Sequence, residues 1–305
     1  MWPAECLESA FRSRHFMKLN TVFRKLLLLA PAGAHVPESL NRDQMSCNPR
    51  RYEDYLDEVQ RLRGRIYLED GAIHESQLVD GRHVVESDCA SWHLLVLDHD
   101  GKTCGCVRYR DHGGPVEFSE LTAARSSLAS CPEWGGRMRA AVEDELLLSD
   151  ALELPFVEIG GWALDPAIRG TVEALRMVLG AYAFSREFGG AVGLATATVR
   201  HSSASILRRI GGQPLEHDGE TVPAYADRQY NCRMELLRFH SWALNPRYDP
   251  WIEQMAEEIR EVTVISAGAP VEQRTPKFVE RIRAAVRVQR ALTYPLSAIA
   301  EPAWE

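Results

Sequence analysis

The sequence predicts an α/β (α+β) fold in which helices flank a mixed, mostly antiparallel sheet that contains one parallel βαβ unit. Two β-rich runs, Trp92–Leu97 and Cys104–Tyr109, are joined by a segment that contains Asp-Gly, a strong signal for an antiparallel hairpin. Residues 156–198 follow the order strand, helix, strand, which predicts a right-handed crossover between parallel strands. A last strand pattern, residues 231–239, completes the sheet.

The length and the charge agree with a globular fold. The chain has 305 residues, of which 45% are apolar and 26% charged, close to the average for soluble domains. Whole-chain disorder, collagen and coiled coil are therefore excluded. Lys and Arg number 35 against 43 Asp and Glu, which gives a net charge of −8. Because nucleic acid requires a basic surface, no nucleic-acid partner is expected.

The start of the chain and the cysteines indicate a cytoplasmic protein without a transmembrane segment. The longest apolar run near the start, Leu26–Ala30, is far shorter than the ~20 residues of a membrane span. Residues 17–34 resemble a signal peptide, but their apolar centre is short, so export is the lesser alternative. Seven scattered cysteines fit a reducing compartment. Cys104 and Cys106 lack further zinc ligands; no metal is expected, and both are interpreted as small apolar residues on one strand face.

The predicted elements follow in chain order. Residues 1–50 carry several prolines and no sustained periodicity, which predicts a loosely ordered arm with one short helix over 18–30. Apolar residues within Tyr52–Tyr67 recur at the spacing of an amphipathic helix. After the hairpin come a helix over 137–149, the strand Phe156–Leu164, the helix Thr171–Phe188, the strand Ala191–Thr198, a helix over 202–210, the final strand, and helical patterns over 248–262 and 276–292. The expected domains are the arm 1–50, a domain over 51–245 and a helical extension over 246–305.

A glycine-containing loop precedes the long helix of the βαβ unit. Such a loop presents backbone N–H groups and the positive end of the helix dipole, an arrangement that receives phosphate. Its candidate cofactor-binding residues are Ile168, Arg169, Gly170 and Thr171. The alternative is that Gly170 is an ordinary turn residue.

This loop, together with three other segments, resembles the GNAT superfamily of acyltransferases. The segments are the strand end 162–166, the strand 192–196 and the run 205–212, which contains Arg208-Arg209 and Gly211-Gly212. The resemblance implies a GNAT-like sheet whose parallel strands splay apart, and a loop that binds the pyrophosphate of the cofactor.

The upstream half resembles the N-acyl-homoserine-lactone synthases and the related N-acyl amino acid synthases. The resemblance rests on the segments 59–67, 86–88, 93–96 and 105–108 and extends over about residues 52–240. These enzymes have a GNAT fold and take long acyl chains, generally from acyl carrier protein. The resemblance therefore implies an acyl thioester as donor, carried by acyl carrier protein phosphopantetheine or by CoA.

Four residues match marks of that family. They are Arg63 for its helix arginine, Asp88 for the second acid of D-x-x-D, Arg108 for the arginine that ends a strand, and Glu158 for the acid of E-x-x-R. Val85 and Gly161 replace the other two marks, so N-acylation is expected rather than lactone formation. Arg63, Asp88, Arg108 and Trp162 are the candidate substrate-binding residues. For Arg63, Asp88 and Arg108, a structural ion-pair cluster is the alternative.

The candidate catalytic residues are Glu158, Gly160 and Gly161. An amine attacks a thioester only when it is neutral, and partial burial would raise the pKa of Glu158 toward the range of a useful base. Gly160-Gly161 would permit a bulge whose backbone N–H groups, near residues 160–163, stabilise the oxyanion. The alternative for Glu158 is a strand acid paired with an arginine.

The expected function is the transfer of a medium or long acyl group to the amine of an amino-acid-like small molecule, without a covalent enzyme intermediate. The alternatives are an acetyl-CoA-dependent N-acetyltransferase and a catalytically silent GNAT-like binding module. Residues 277–290 contain five basic residues and one acidic residue beside an apolar helical face. Such a helix fits an acidic carrier protein or peripheral contact with an anionic membrane; an ordinary surface helix is the alternative.

Overall fold

The computed structural model of the chain describes residues 24–269 and 271–273. Its α-helices are α1 (Pro49–Glu69), α2 (Gly135–Ala151), α3 (Val172–Glu187), α4 (Ser203–Ile210) and α5 (Asp249–Arg260). Its strands are β1 (Lys25–Ala30), β2 (His35–Pro37), β3 (Met45–Cys47), β4 (Trp92–Leu97), β5 (Thr103–Asp111), β6 (Phe156–Leu164), β7 (Val192–Thr198), β8 (Gln213–Pro214), β9 (Glu216–His217), β10 (Glu220–Thr221), β11 (Tyr225–Asp227), β12 (Cys232–His240), β13 (Thr263–Ser266) and β14 (Val271–Gln273). Short 3-10 helices lie at Arg42–Gln44, Glu75–Gln77, Asp88–Ala90, Phe118–Glu120, Thr122–Arg125, Pro166–Ile168, Arg200–Ser202 and Pro246–Tyr248.

The main sheet is mixed and mostly antiparallel, as predicted. Its strand order is β11-β12-β7-β6-β5-β4-β1-β13-β3, with β8 also paired to β12. The neighbours β1, β4, β5 and β6 run antiparallel, as do β7, β12 and β11. The parallel pair β6–β7 is connected through α3, which confirms the predicted βαβ unit. Two further parallel pairs, β1–β13 and β13–β3, were not predicted.

Helices cover both faces of this sheet. On one face, α1 packs through Val59 and Leu62 against β1 and β4, and α2 packs through Val142 against β6 and β7. On the other face, α3, α4 and α5 share one core with the opposite sides of the same strands. Each strand of the sheet's centre is therefore buried on both sides, which leaves its polar side chains in need of partners within the protein.

The prediction of a helix over residues 18–30 is wrong for its described part. Residues Lys25–Ala30 form β1, which lies between β4 and β13. Its leucines alternate between the two helical layers: Leu26 and Leu28 face α3, while Leu27 and Leu29 face α1. A strand that is covered on both faces has a continuous apolar run and lacks the alternation that marks a half-buried strand.

The expected domain limits need correction for the same reason. The described residues of the expected loose arm, 24–50, contribute β1 and β3 to the main sheet. Beyond residue 245, α5 confirms a predicted helix, but β13 then enters the sheet between β1 and β3. The sheet thus joins segments from all three expected parts. The predicted basic helix over 277–290 lies outside the described residues.

Most other predicted elements are confirmed within a few residues, and one side-chain prediction is wrong. Cys104 and Cys106 lie on opposite faces of β5, Cys104 toward α3 and Cys106 toward α1. The reason is a register shift between β4 and β5 at Val96/Leu97. It adds one residue to β5 at this point, so side chains two positions apart no longer share a face. Among the helices of the described ranges, none combines the length and the hydropathy needed to cross a membrane.

Two irregularities of β6 create the space for a site. Strands β6 and β7 pair only over Phe156–Ile159 and Val192–Ala195, and both strands continue beyond that point without pairing to each other. On its other edge, β6 has a bulge: Arg108 pairs with Gly160, but Cys106 pairs with Ala163. One extra residue on β6 therefore lies at Gly161-Trp162, beside the splay of the two strands.

Candidate active site

A cavity of about 230 Å³ lies in the splay between β6 and β7. It is bounded by both strands, by the end of α1, by the middle of α3, by α4, and by the segments around residues 122–126 and 225–232. The side chains and backbone that form its wall include Tyr67, Asp70, Arg108, Thr122, Arg125, Glu158, Gly160, Gly161, Trp162, Arg169, Val178, Ala181, Tyr182, Arg200, Ile206, Leu207 and Tyr230. The predicted catalytic glycines and Glu158 thus share one cavity.

The wall of this cavity differs between the two faces of the sheet. Toward α3 and α4 it is apolar, formed by residues such as Val178, Ala181 and Leu207. Toward α1 and the loop 122–126 it is polar and includes Arg108 and Glu158. Because the cavity passes through the sheet where β6 and β7 separate, one molecule can place an apolar chain on one side and a polar group on the other.

Arg63, Asp88 and Arg108 are brought together beside the polar wall, as the sequence predicted. Arg63 donates to both carboxylate oxygens of Asp88, at 2.8 and 2.5 Å. Arg108 lies 3.4 Å from the same carboxylate and also lines the cavity. The side chains of Arg63 and Asp88 are each 1% exposed. Arg63 therefore has a structural partner, whereas Arg108 is the member that a substrate can reach.

The charge of this cluster follows from the protonation of its members. Burial would raise the pKa of Asp88, but the hydrogen bonds and charge of Arg63 lower it well below its usual range. Burial and the nearby guanidinium of Arg63 lower the pKa of His83 and of His93 to about 4, so both imidazoles are neutral at pH 7. Two guanidinium groups thus face one carboxylate, and the cluster carries a net positive charge next to the cavity.

Glu158 is held by four hydrogen bonds. Its Oε2 accepts from the backbone N–H of Thr122 at 3.1 Å and the hydroxyl of Thr122 at 3.2 Å, and it lies 3.1 Å from Nε2 of His112. Its Oε1 accepts from the backbone N–H of Ala123 at 3.3 Å. Burial would raise the pKa of Glu158, but these bonds lower it. The expectation of a raised pKa, and the alternative of an arginine partner, are both wrong.

The bulge expected at Gly160-Gly161 is confirmed. Gly161 has φ +63°, and a Cβ atom there would lie 3.2 Å from Cβ of Arg108 and 3.2 Å from Nη1 of Arg63. At Gly160 a Cβ atom would meet only Nη2 of Arg108, at 3.6 Å. Gly161 is thus required both by its left-handed backbone and by the close approach of two arginines. The backbone between Gly160 and Ala163 is not in register with β5 and borders the cavity.

The loop before α3 only partly fits its predicted role. Ile168 has a side chain that is 1% exposed in the core, so it offers a ligand no side-chain contact. Thr171 caps α3, since its hydroxyl accepts from the N–H of Glu173 at 3.2 Å. Arg169 is the member of the predicted set that lines the cavity. It donates two hydrogen bonds of 3.1 Å to Asp70, at the end of α1.

Several residues of the site were not found by sequence analysis. His112 and Thr122 hold Glu158, yet they are 46 and 36 residues away from it along the chain. Tyr67 donates to the carbonyl of Trp162 at 3.3 Å and contacts Tyr230 edge-to-face, with ring centroids 6.0 Å apart. Tyr67 is in the segment 59–67 on which the resemblance rests, and this was the one available signal. For the others, no pattern in the sequence pointed to the cavity.

Trp162, a predicted substrate-binding residue, lies in the cavity wall, and its buried indole N–H has no partner within the described part of the chain. For metals, the described residues contain one group with suitable spacing, Asp98, His99 and Asp100, in the β4–β5 turn. The carboxylate of Asp98 already accepts from the N–H groups of Asp100 and Lys102, both at 2.9 Å. That the reaction needs no metal stays a prediction.

Several solved structures are similar to this fold. The CoA-dependent acyl-homoserine lactone synthase BjaI, with SAM and isopentyl-CoA, is 17% identical; the match covers 85% of this chain and 99% of that one, with a TM-score of 0.48. FeeM, an N-acyl amino acid synthase from uncultured soil microbes, is 12% identical over 64% of this chain and 88% of that one, with a TM-score of 0.41. The mosquito arylalkylamine N-acetyltransferase-like protein 5b is 14% identical over 71% of this chain and all 100% of that one, with a TM-score of 0.38.

No protein-family model and no curated protein matches the sequence. At identities of 12 to 17%, the substrates of these proteins say nothing about those of this chain, which its own residues must indicate. By its strand order, its parallel splay and its bulged central strand, the chain has the mixed, mostly antiparallel and helix-flanked fold that its motifs predict.

Proposed function

We propose that the protein is an N-acyltransferase that moves a medium or long acyl group from a thioester to the amine of an amino-acid-like small molecule. The observation that carries this proposal is the splay of β6 and β7. It places Glu158, the bulge at Gly160-Gly161 and Arg108 in one cavity that is apolar on its other side. A base, an oxyanion site, an anion site and an apolar wall are what such a transfer requires.

The apolar wall supports an acyl donor with a hydrocarbon chain. Val178, Ala181 and Leu207 contribute no charge, and Tyr182 is a neutral donor because burial raises its pKa. Arg169, in the loop before α3, lines the cavity and has a guanidinium that suits the phosphate of CoA or of a carrier-bound phosphopantetheine, which would share this group with its present partner Asp70. Both donors share the thioester and the pantetheine, and the acyl chain is the part that the apolar wall contacts.

The positive charge of the arginine cluster supports an acceptor with a carboxylate. The single carboxylate of Asp88 binds Arg63 through two short bonds and Arg108 through one longer contact of 3.4 Å, so one of the two positive charges is not neutralised. Arg108 faces the cavity with a side chain that is 9% exposed and an Nε without a partner among the residues that the structure describes. A buried charge needs a counter-ion. An α-carboxylate on the acceptor would supply it and would orient the adjacent amine toward β6.

The chemistry then divides among residues of the cavity. The neutral amine attacks the thioester carbonyl, and backbone N–H groups at the bulge of β6 stabilise the negative charge on the carbonyl oxygen. As the C–N bond forms, the nitrogen becomes strongly acidic, so a carboxylate with a low pKa can still accept its proton. Oε1 of Glu158 accepts that proton. Collapse of the intermediate breaks the C–S bond and releases the thiol of the donor as thiolate.

The test is acyl transfer by the purified protein. Acyl-CoA and acyl carrier protein thioesters of two to sixteen carbons are each incubated with a pool of amino acids, and N-acyl products are identified by mass spectrometry. Release of free thiol together with an N-acyl amino acid supports the proposal. Turnover of acetyl-CoA alone identifies an N-acetyltransferase instead. Thioester binding without any turnover identifies a binding module, and either result overturns the proposed function.

A further inference from the structure

His112 follows directly after β5 and lies beside the proposed base. Its side chain is 5% exposed, and its backbone N–H donates to the carbonyl of Phe156 at 3.1 Å. The same phenylalanine packs on the imidazole, with ring centroids 6.4 Å apart. The backbone bond and the packing fix the ring so that Nε2 is 3.1 Å from Oε2 of Glu158.

The two oxygens of Glu158 have unequal surroundings. Oε2 has three partners, namely His112 Nε2 and the N–H and hydroxyl of Thr122. Oε1 has one, the N–H of Ala123, at the longer distance of 3.3 Å. A carboxylate oxygen offers about two lone pairs. Oε2 is therefore saturated, and Oε1 retains a lone pair for a proton that arrives from the cavity.

We propose that His112 is a positioning residue that orients Glu158 so that Oε1, and not Oε2, accepts the proton of the attacking amine. This inference rests on the proposed function and adds a residue to it. His112 itself does not line the cavity and touches the reaction only through Glu158.

Other charged groups around Glu158 do not replace this contact. On β5, Arg110 pairs with Glu158 in the backbone register and Arg108 pairs with Gly160; Asp111 follows Arg110. From the loop, Arg125 lines the same cavity and pairs with Glu86 at 2.6 Å. The segment of β7 in register with Glu158 is centred on Leu194 and brings no charge. Among residues 24–269 and 271–273, His112 is thus the titratable side chain in hydrogen-bond contact with the carboxylate.

The sign of the effect follows from the contacts. Burial raises the pKa of Glu158, whereas the hydrogen bond and charge of His112 lower it. Removal of the imidazole therefore raises the pKa of Glu158. If the ionised carboxylate is the active form, the acid limb of the pH–rate profile moves to higher pH. Because a hydrogen bond to a charged group is lost, the expected shift is about one pH unit.

The experiment compares His112→Phe, which keeps a ring against Phe156 without a donor, with His112→Gln, which keeps an N–H donor. We expect His112→Phe to shift the acid limb of kcat upward by about one pH unit while KM for the thioester changes less than about twofold. His112→Gln returns the acid limb most of the way to its wild-type position. His99→Gln, at a histidine with an 86% exposed side chain, serves as the control and leaves the profile unchanged. An acid limb in His112→Phe at the wild-type pH overturns the inference.

A second measurement separates this inference from the proposed function. In protein labelled with ¹³C-glutamate, the carboxyl signal of Glu158 is assigned by its absence in Glu158→Gln and titrated by NMR. A higher pKa in His112→Phe than in wild type supports the positioning role even if no thioester is turned over, and an equal pKa refutes it. Should His112→Phe not fold, His112→Asn, whose amide is too short to reach Oε2, is titrated with the same expectation.

Discussion

Arg63 and Asp88 form a bidentate ion pair beside the cavity, with hydrogen bonds of 2.8 and 2.5 Å between side chains that are each 1% exposed. They come from α1 and from the 3-10 helix before β4, so the pair also joins two segments that are distant in sequence. Asp88 further accepts from the side chain of Gln60 and the backbone N–H of Val85, both at 3.1 Å. The carboxylate of Asp88 is consequently stabilised by donors of the protein itself.

Loss of that charge should destabilise the fold strongly. Asp88→Asn leaves the buried guanidinium of Arg63 without a counter-ion, and the expected loss is about 3–5 kcal/mol of unfolding free energy in urea. Asp57→Asn is the control, because Asp57 bonds Arg61 at 2.6 Å on the surface, where such pairs contribute about 0–1 kcal/mol. Equal urea midpoints for the two variants would show that the buried pair does not act as described.

The same residue predicts a pH dependence of stability. The pKa of Asp88 is lower in the folded protein than its ordinary value of ~3.9, so its contribution is complete above about pH 5 and is lost as the pH falls below about 4. The difference in unfolding free energy between wild type and Asp88→Asn should therefore narrow on acidification from pH 6 to pH 3. A difference that stays constant over this range contradicts the assignment.

Glu158→Gln should abolish most activity. Removal of a general base typically costs 10²–10⁴-fold in rate, so kcat is expected to fall by about 10²-fold or more while the donor still binds. Glu235→Gln is a matched control: Glu235 is also a strand glutamate with a largely buried side chain, but it pairs with Arg208 at 3.2 Å outside the cavity. Wild-type turnover in Glu158→Gln would exclude the carboxylate as the base.

Gly161→Ala should impair both folding and catalysis, because two causes act together. The φ of +63° is unfavourable for alanine, and the added methyl group would press on Arg63 and Arg108. Gly113→Ala isolates the first cause, since Gly113 has φ +68° and nothing within 4 Å of its added Cβ. We expect a loss of about 1 kcal/mol for Gly113→Ala and clearly more for Gly161→Ala, measured by urea unfolding. A similar loss in both variants would mean that the arginines yield to the methyl group.

Arg108→Met should raise KM for the acceptor without an equal effect on KM for the donor. The guanidinium is proposed to bind the acceptor carboxylate, and a hydrogen-bonded ion pair of this kind contributes about 1.5–3 kcal/mol, or roughly 10- to 150-fold in KM. The amino acid amide, which lacks the carboxylate, should react equally with wild type and variant. Arg208→Met, at an exposed arginine on α4, is the control. If Arg108→Met still prefers the amino acid over its amide as strongly as wild type does, the acceptor carboxylate binds at a site other than Arg108.

Local patterns predicted the elements in which apolar residues recur with the period of the helix or strand. The helix of α1, the hairpin of β4 and β5, and the unit β6-α3-β7 all follow from periodicity and turn residues. β1 did not, because burial on both faces removes the alternation from Leu26–Leu29. β13 was not predicted either, because its four residues are too few to show a pattern and form a strand by pairing with β1 and β3.

The candidate site divides in the same way. Arg63, Asp88, Arg108 and Glu158 were predicted because they match the residue types and spacings of the family that the sequence resembles. Gly160 and Gly161 were predicted because two adjacent glycines permit a bulge. In the structure Arg108, Glu158 and the two glycines line one cavity, and Arg63 and Asp88 lie beside Arg108. The direction in which the pKa of Glu158 is shifted could not be predicted from such motifs. It depends on donors from His112, Thr122 and Ala123, which reach the carboxylate only after β5 and the loop 118–126 pack beside β6.

The sequence by itself determined the mixed fold class, the βαβ unit and the residues from which a transfer site can be built. The tertiary structure decided which of them are available. Asp88 binds Arg63 through two short bonds and Arg108 through one longer contact, and Arg108 also lines the cavity. Ile168 is buried in the core, and His112 contacts Glu158. The physical reason is that burial and hydrogen-bond partners set the charge and reach of a side chain. Both depend on segments far apart in the chain, so no local pattern records them.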